Sequence, residues 1–132
     1  MNTKVIMTAS AITLAFAGFI FTFMPMEILQ YVAIDTTKYH QLILQTLGAL
    51  YFSYAMLNWM AKGSIIGGIY NRPIAVANFT HFFIAGLALI KGLISDPNLS
   101  FVLWCIASLY AVFALLFGVM LFRHPVSEKK AE

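Results

Sequence analysis

Apolar residues run almost unbroken through four stretches of this chain, residues 4–24, 40–61, 73–93 and 101–122, with short polar segments between them. Roughly 20 helical residues cross the hydrocarbon of a bilayer, so each stretch predicts a transmembrane helix. The third is set in the sequence Arg72–Gly92 and carries Asn78 and His81 three residues apart, on one helical face and far from either end. A polar pair at that depth faces protein or water rather than lipid. The pattern therefore predicts an all-α, integral membrane four-helix bundle with the Asn78/His81 face turned inward.

The breaks between the stretches are equally readable. Ala15-Phe16-Ala17 has the form of a signal-peptide cleavage site, but the apolar run continues through Met24, which predicts an uncleaved helix. Pro25 ends it. Met26–Thr37 then mixes Glu27, Gln30 and Asp35 with Ile28, Leu29, Tyr31, Val32 and Ile34, a pattern for a short helix or loop lying at the membrane surface. Lys62–Arg72 holds Gly63, Ser64, Gly67, Gly68 and Asn71 and reads as a turn. Ser95-Asp96-Pro97-Asn98 is a second turn, with Asp96 or Asn98 expected to cap the next helix. Residues 123–132 form a polar tail, expected to fray.

Composition agrees with that picture. The chain has 132 residues, 61% hydrophobic and 10% charged, against about 25% charged in soluble domains. Its length suits a single transmembrane domain, 1–132. The formal charge is +3, and its placement matters more than its size. Lys4, the Lys62/Arg72 loop and the Arg123/Lys129/Lys130 tail fall on one side of a four-span topology, and Glu27, Asp35, Lys38 and Asp96 on the other. Basic segments stay cytoplasmic, so both termini are expected inside and the chain in the cell inner membrane as a multi-pass protein. No basic run interleaved with aromatics supports nucleic-acid binding. Cys105, the single cysteine, excludes an internal disulfide or paired-thiol chemistry and is expected to pack as a small apolar residue.

Small residues recur at helical spacing in three of the four stretches: Ala11, Ala15, Gly18 and Thr22; Ala85, Ala88 and Gly92, continuing the face of Asn78 and His81; and Ala107, Ala111, Ala114 and Gly118. Such faces let membrane helices approach closely, within a bundle or across a dimer. The second stretch is more polar. His40, Tyr51, Tyr54, Asn58 and Lys62 share one side, flanked by Gln41, Gln45 and Gly48, with Leu42, Leu50 and Leu57 opposite. At about 1.5 Å per residue, Tyr54 and His81 lie roughly 10 and 12 Å from the cytoplasmic ends of their helices. Matched depth predicts one polar cluster of Tyr54, Asn58, Asn78 and His81, with Tyr51, Ser10 and Thr13 at its margin and Phe82 and Tyr51 as apolar walls.

That cluster has two readings. One is interhelical glue, each polar contact contributing about 0.6 kcal/mol. The other is a ligand-binding cavity open to the inner leaflet. Its chemistry is restricted either way. His40, His81 and His124 sit at three different depths, which disfavours a bis-histidine haem or a histidine metal site, so neither metal nor cofactor is expected. No GxSxG, HExxH or P-loop occurs. No acid falls at mid-span, so the embedded glutamate of small multidrug transporters and the buried acids of the sterol-isomerase fold have no counterpart. Proton coupling would fall to His81, whose ordinary pKa is about 6.5. The Asn78, Phe79, Phe82 and Phe83 grouping is conceivable in a fluoride channel, but the glycine/arginine signature of that family is missing from the first helix.

The segment Gln45-Thr46-Leu47-Gly48-Ala49-Leu50 through Leu57-Asn58-Trp59-Met60-Ala61-Lys62 resembles a family of uncharacterised small bacterial four-helix integral membrane proteins. In that family a glycine-containing second helix ends in a similar Asn-Trp-hydrophobic-Ala-basic run before an Asn-containing third helix. The resemblance covers about residues 40–93 and implies the architecture without an activity. The layout is also similar to the sterol-biosynthesis scaffold proteins of the endoplasmic reticulum, which tether enzymes. The expected function is accordingly non-enzymatic: a small membrane protein binding or scaffolding a lipid, an apolar ligand, another copy of itself or a partner membrane protein. The alternative is a small transporter or channel subunit using the polar cavity. A membrane enzyme ranks third, because no activated nucleophile or acid/base pair is visible.

Overall fold

The computed structural model describes residues 2–32, 34, 36–64 and 70–122. These residues form five α-helices and no strand: α1 (Thr3–Phe23), α2 (Pro25–Tyr31), α3 (Lys38–Ala61), α4 (Arg72–Ser95) and α5 (Phe101–Phe122). Asp35, the glycine pair Gly67/Gly68 and the tail 123–132, read above as parts of a surface segment, a turn and a frayed end, lie outside the described residues.

Local chemistry sets the helix ends. Asn2 caps α1, its Oδ1 accepting from the Val5 amide at 3.4 Å. At the other end the Met24 amide donates to the Ile20 carbonyl at 2.8 Å, and Pro25 opens α2 at once. Proline is suited to a first helical turn because its missing N–H has no intrahelical partner there anyway. Thr37 caps α3, accepting from the His40 amide at 3.3 Å. Asp96 does not cap α5. Its carboxylate accepts from Asn98 N at 3.1 Å within the turn, and the cap falls to Ser100, whose hydroxyl accepts from Val102 N at 3.3 Å.

The chain divides into two compact units, Asn2–Lys62 and the part from Gly63 onward. In the first, α1 and α3 pack along their lengths as an antiparallel pair and α2 rests on both. Gly18 and Gly48 allow the close approach: a Cβ on Gly48 would stand 2.8 Å from Thr22 N and 3.0 Å from the Gly18 carbonyl oxygen. The small-residue face expected on α1 is thus a packing face, and its partner is the glycine of α3. Gln45 strengthens the crossing, its Nε2 donating to the Thr22 carbonyl at 3.3 Å.

In the second unit α4 and α5 form a hairpin with an aromatic core. Phe82, fully buried, stacks on Phe113 (centroids 4.8 Å apart) and Phe117 (5.7 Å). The α5 face runs through Ala107, Tyr110, Ala114, Phe117 and Gly118 as its small residues lead one to expect. The α4 face does not. It follows Ala75, Asn78, Phe82, Gly86 and Leu93, while Ala88 and Gly92 are exposed. Only Gly86 among the α4 glycines meets α5, with a Cβ position 3.5 Å from Tyr110. Cys105 is exposed as well, so it is not an interior packing residue.

Polar and apolar residues are distributed inside-out. Ser10, Asn58 and Asn78 have 0% exposure, whereas Phe16 (68%), Ile84 (61%) and Leu115 (71%) face outward. α1, α4 and α5 are long and apolar enough to cross a membrane. α3 equals α4 in length at 24 residues but carries Gln41, Gln45 and Asn58, and it falls short of the same apolarity.

Candidate functional site

The six residues singled out from the sequence fall three to a hairpin. Tyr51, Tyr54 and Asn58 lie on α3 and Asn78, His81 and Phe82 on α4.

In the first hairpin Asn58 is wholly buried, and its Nδ2 donates to Ser10 Oγ at 3.0 Å. The Ser10 hydroxyl donates in turn to the Met7 carbonyl at 3.0 Å. Ser10, placed only at the margin by depth, is therefore the direct partner of Asn58. The chain of donors runs amide to hydroxyl to carbonyl and uses neutral groups throughout. Because the hydroxyl proton is committed to a backbone carbonyl and not to a base, this serine is not set up as a nucleophile. Tyr51 and Tyr54 are half-buried. The Tyr51 ring lies against Phe21, centroids 5.5 Å apart and tilted by 36°.

In the second hairpin Asn78 is also wholly buried, and its Nδ2 donates to the Ile74 carbonyl at 3.0 Å, one turn back in the same helix. The His81 ring meets Phe82 edge-on at 5.1 Å and Tyr110 at 5.6 Å. Tyr110 meets Phe82 in turn at 5.2 Å, so the three rings form one aromatic box. Phe82 lies at the centre of the hairpin core, fully buried. Tyr110, Phe113 and Phe117 are the residues the sequence reading missed. Their steps of three and four along α5 mark one helical face, a signal that the small residues interleaved with them obscured.

Among the described residues no three of His, Cys, Asp and Glu come together in a way that could hold a metal ion. One cation has a defined place: Lys62 Nζ sits 2.9 Å from the Trp59 ring centroid at the end of α3, an arrangement that holds an ammonium over an aromatic face. Within the hairpins Asn58 bonds across to Ser10, and Ser10 and Asn78 bond back to carbonyls of their own helices, while the Thr22 hydroxyl oxygen is buried with no hydrogen-bond partner. Compared with known protein families, with curated proteins and with solved structures, the chain matches none.

Proposed function

We propose that this is a multi-pass inner-membrane protein without chemistry of its own, binding or scaffolding through the outer surfaces of its helices. The observation that carries the reading is the inside-out distribution: buried Ser10, Asn58 and Asn78 against outward Phe16, Ile84 and Leu115. In water so much exposed apolar surface would drive aggregation. In lipid it is the ordinary state, and small residues and interhelical hydrogen bonds supply the packing energy.

What supports a fourth crossing by α3 is its pairing with α1. Asn58 meets Ser10, Gly48 meets Gly18, and Gln45 meets Thr22, so α3 from about residue 45 to 58 lies alongside α1 from 10 to 22. If α1 crosses, α3 crosses with it. Two of its polar side chains, Gln45 and Asn58, turn toward α1, which is how a helix of lower hydropathy is accommodated. On that argument four crossings are proposed, with both termini on the cytoplasmic side by the charge rule.

Binding is proposed ahead of transport because no acid falls at mid-span to couple a carrier. Within the hairpins Gly18 and Gly48 bring backbones together, and Phe82 stacks on Phe113 and Phe117. The occupants proposed for the outer surfaces are membrane lipid, an apolar small molecule, a second copy or a partner membrane protein. The test pairs native mass spectrometry from nanodiscs with solute flux in proteoliposomes. Retained lipid, ligand or a second copy without flux is the expected result. Flux above that of empty liposomes, lost in His81→Ala protein that remains folded, would overturn it in favour of a transporter.

A further inference from the structure

The segment between the first two long helices lies where a span must end. α1 has 21 residues, about 31 Å of helix, close to the roughly 30 Å of bilayer hydrocarbon. α2 starts two residues beyond Phe23, too few to carry the chain away from the headgroups. Because Gln45 meets Thr22 near the end of α1, the first turns of α3, from Lys38 to about Ile43, project past α1 by roughly 9 Å. α2 lies beside those turns.

Its faces are sorted. Pro25 and Leu29 are buried against the hairpin, and Gln41 Nε2 donates to Met26 Sδ at 2.8 Å, tying α2 to the projecting turn. Glu27 and Gln30 are exposed on the far side. Between these faces Met26 (41%) and Tyr31 (63%) stand on opposite flanks, with Ile34 and Tyr39 exposed beyond them. A helix with an apolar underside, a polar top and amphipathic flanks matches the headgroup layer, where tyrosine is enriched. Tyr39 is exposed on the projecting turn of α3, at a level where tyrosine is enriched.

We propose that α2 and the first turns of α3 form a collar seated in the phospholipid headgroup layer, fixing the depth of the first hairpin. The collar rests on the membrane reading above, so its test carries an internal reference. Spin labels are placed on full-length Cys105→Ala protein in phosphatidylcholine/phosphatidylglycerol liposomes, at Tyr31→Cys, Glu27→Cys and Phe16→Cys in turn. Accessibility to oxygen and to a water-soluble nickel chelate gives each depth. The collar predicts Phe16 deep, Tyr31 within about 10 Å of the phosphates, and Glu27 shallower than Tyr31. With Phe16 deep, free aqueous accessibility at both Tyr31 and Glu27 would overturn the collar alone. A Phe16 label as open to nickel as the other two would overturn the membrane reading with it.

Discussion

Replacing Gly48 by alanine tests the α1–α3 crossing most sharply. An added Cβ would meet Thr22 Oγ1, Thr22 N at 2.8 Å and the Gly18 carbonyl oxygen at 3.0 Å. The hydroxyl can rotate away, but the other two are backbone atoms of the opposite helix. Non-bonded heavy atoms prefer roughly 3.5 Å or more, so α1 and α3 must part by about half an ångström. Overpacking of this kind costs about 1–3 kcal/mol. Alanine also gains up to about 1 kcal/mol over glycine in helix propensity, which would mask part of the loss. Gly92→Ala provides the correction, because Gly92 is helical and has nothing within 4 Å of its Cβ position. Both variants carry the same propensity gain, and their difference isolates the clash. Unfolding in bicelles by added sodium dodecyl sulfate should place Gly48→Ala about 1–3 kcal/mol below Gly92→Ala. Equal stabilities, or Gly48→Ala the more stable, would refute the close crossing.

Three further outcomes follow from the same geometry. A double-mutant cycle on Asn58→Ala and Ser10→Ala should give a coupling of about 0.6 kcal/mol and not above about 1.7; additive effects would mean that the 3.0 Å bond does not hold the hairpin. Phe82→Ala opens a cavity among Tyr110, Phe113 and Phe117 and should destabilise by more than about 1 kcal/mol, whereas Phe83→Ala, at an outward position, should stay within about 0.5; equal losses in the same unfolding assay would contradict the assigned face. Exposed Cys105 should react with a membrane-permeant maleimide in the folded protein, at a rate that added denaturant raises little, as followed by intact mass.

Helix positions were legible because their punctuation is local. Pro25, the Thr37 cap and the Asp96–Ser100 turn stop and start helices through groups within a few residues, and the observed ends fall within two residues of those expected. Faces were legible only where composition was uneven. On α1 the line Ala11, Ala15, Gly18 and Thr22 pointed at α3. On α4 nearly every side chain is apolar, so a lipid-facing position and a packed one look alike. The line Ala85, Ala88 and Gly92 had the right spacing yet lies one step around the helix from the buried line through Phe82 and Gly86. The Ser10–Asn58 bond was half visible: both residues were placed at similar depth, but which partner Asn58 takes depends on how α1 and α3 are rotated. Spacing within either helix does not carry that rotation.

The central claim is that α3, less apolar than its neighbours, crosses the membrane because α1 carries it. In Cys105→Ala protein in sealed liposomes, single cysteines replace Tyr39 and Ser64, both exposed and at opposite ends of α3, and are treated with a membrane-impermeant maleimide before and after lysis. In liposomes where one orientation predominates, the account predicts that one of the two positions reacts mainly before lysis and the other mainly after it. Reaction of both positions from the same side would show α3 lying along one surface, and would contradict it.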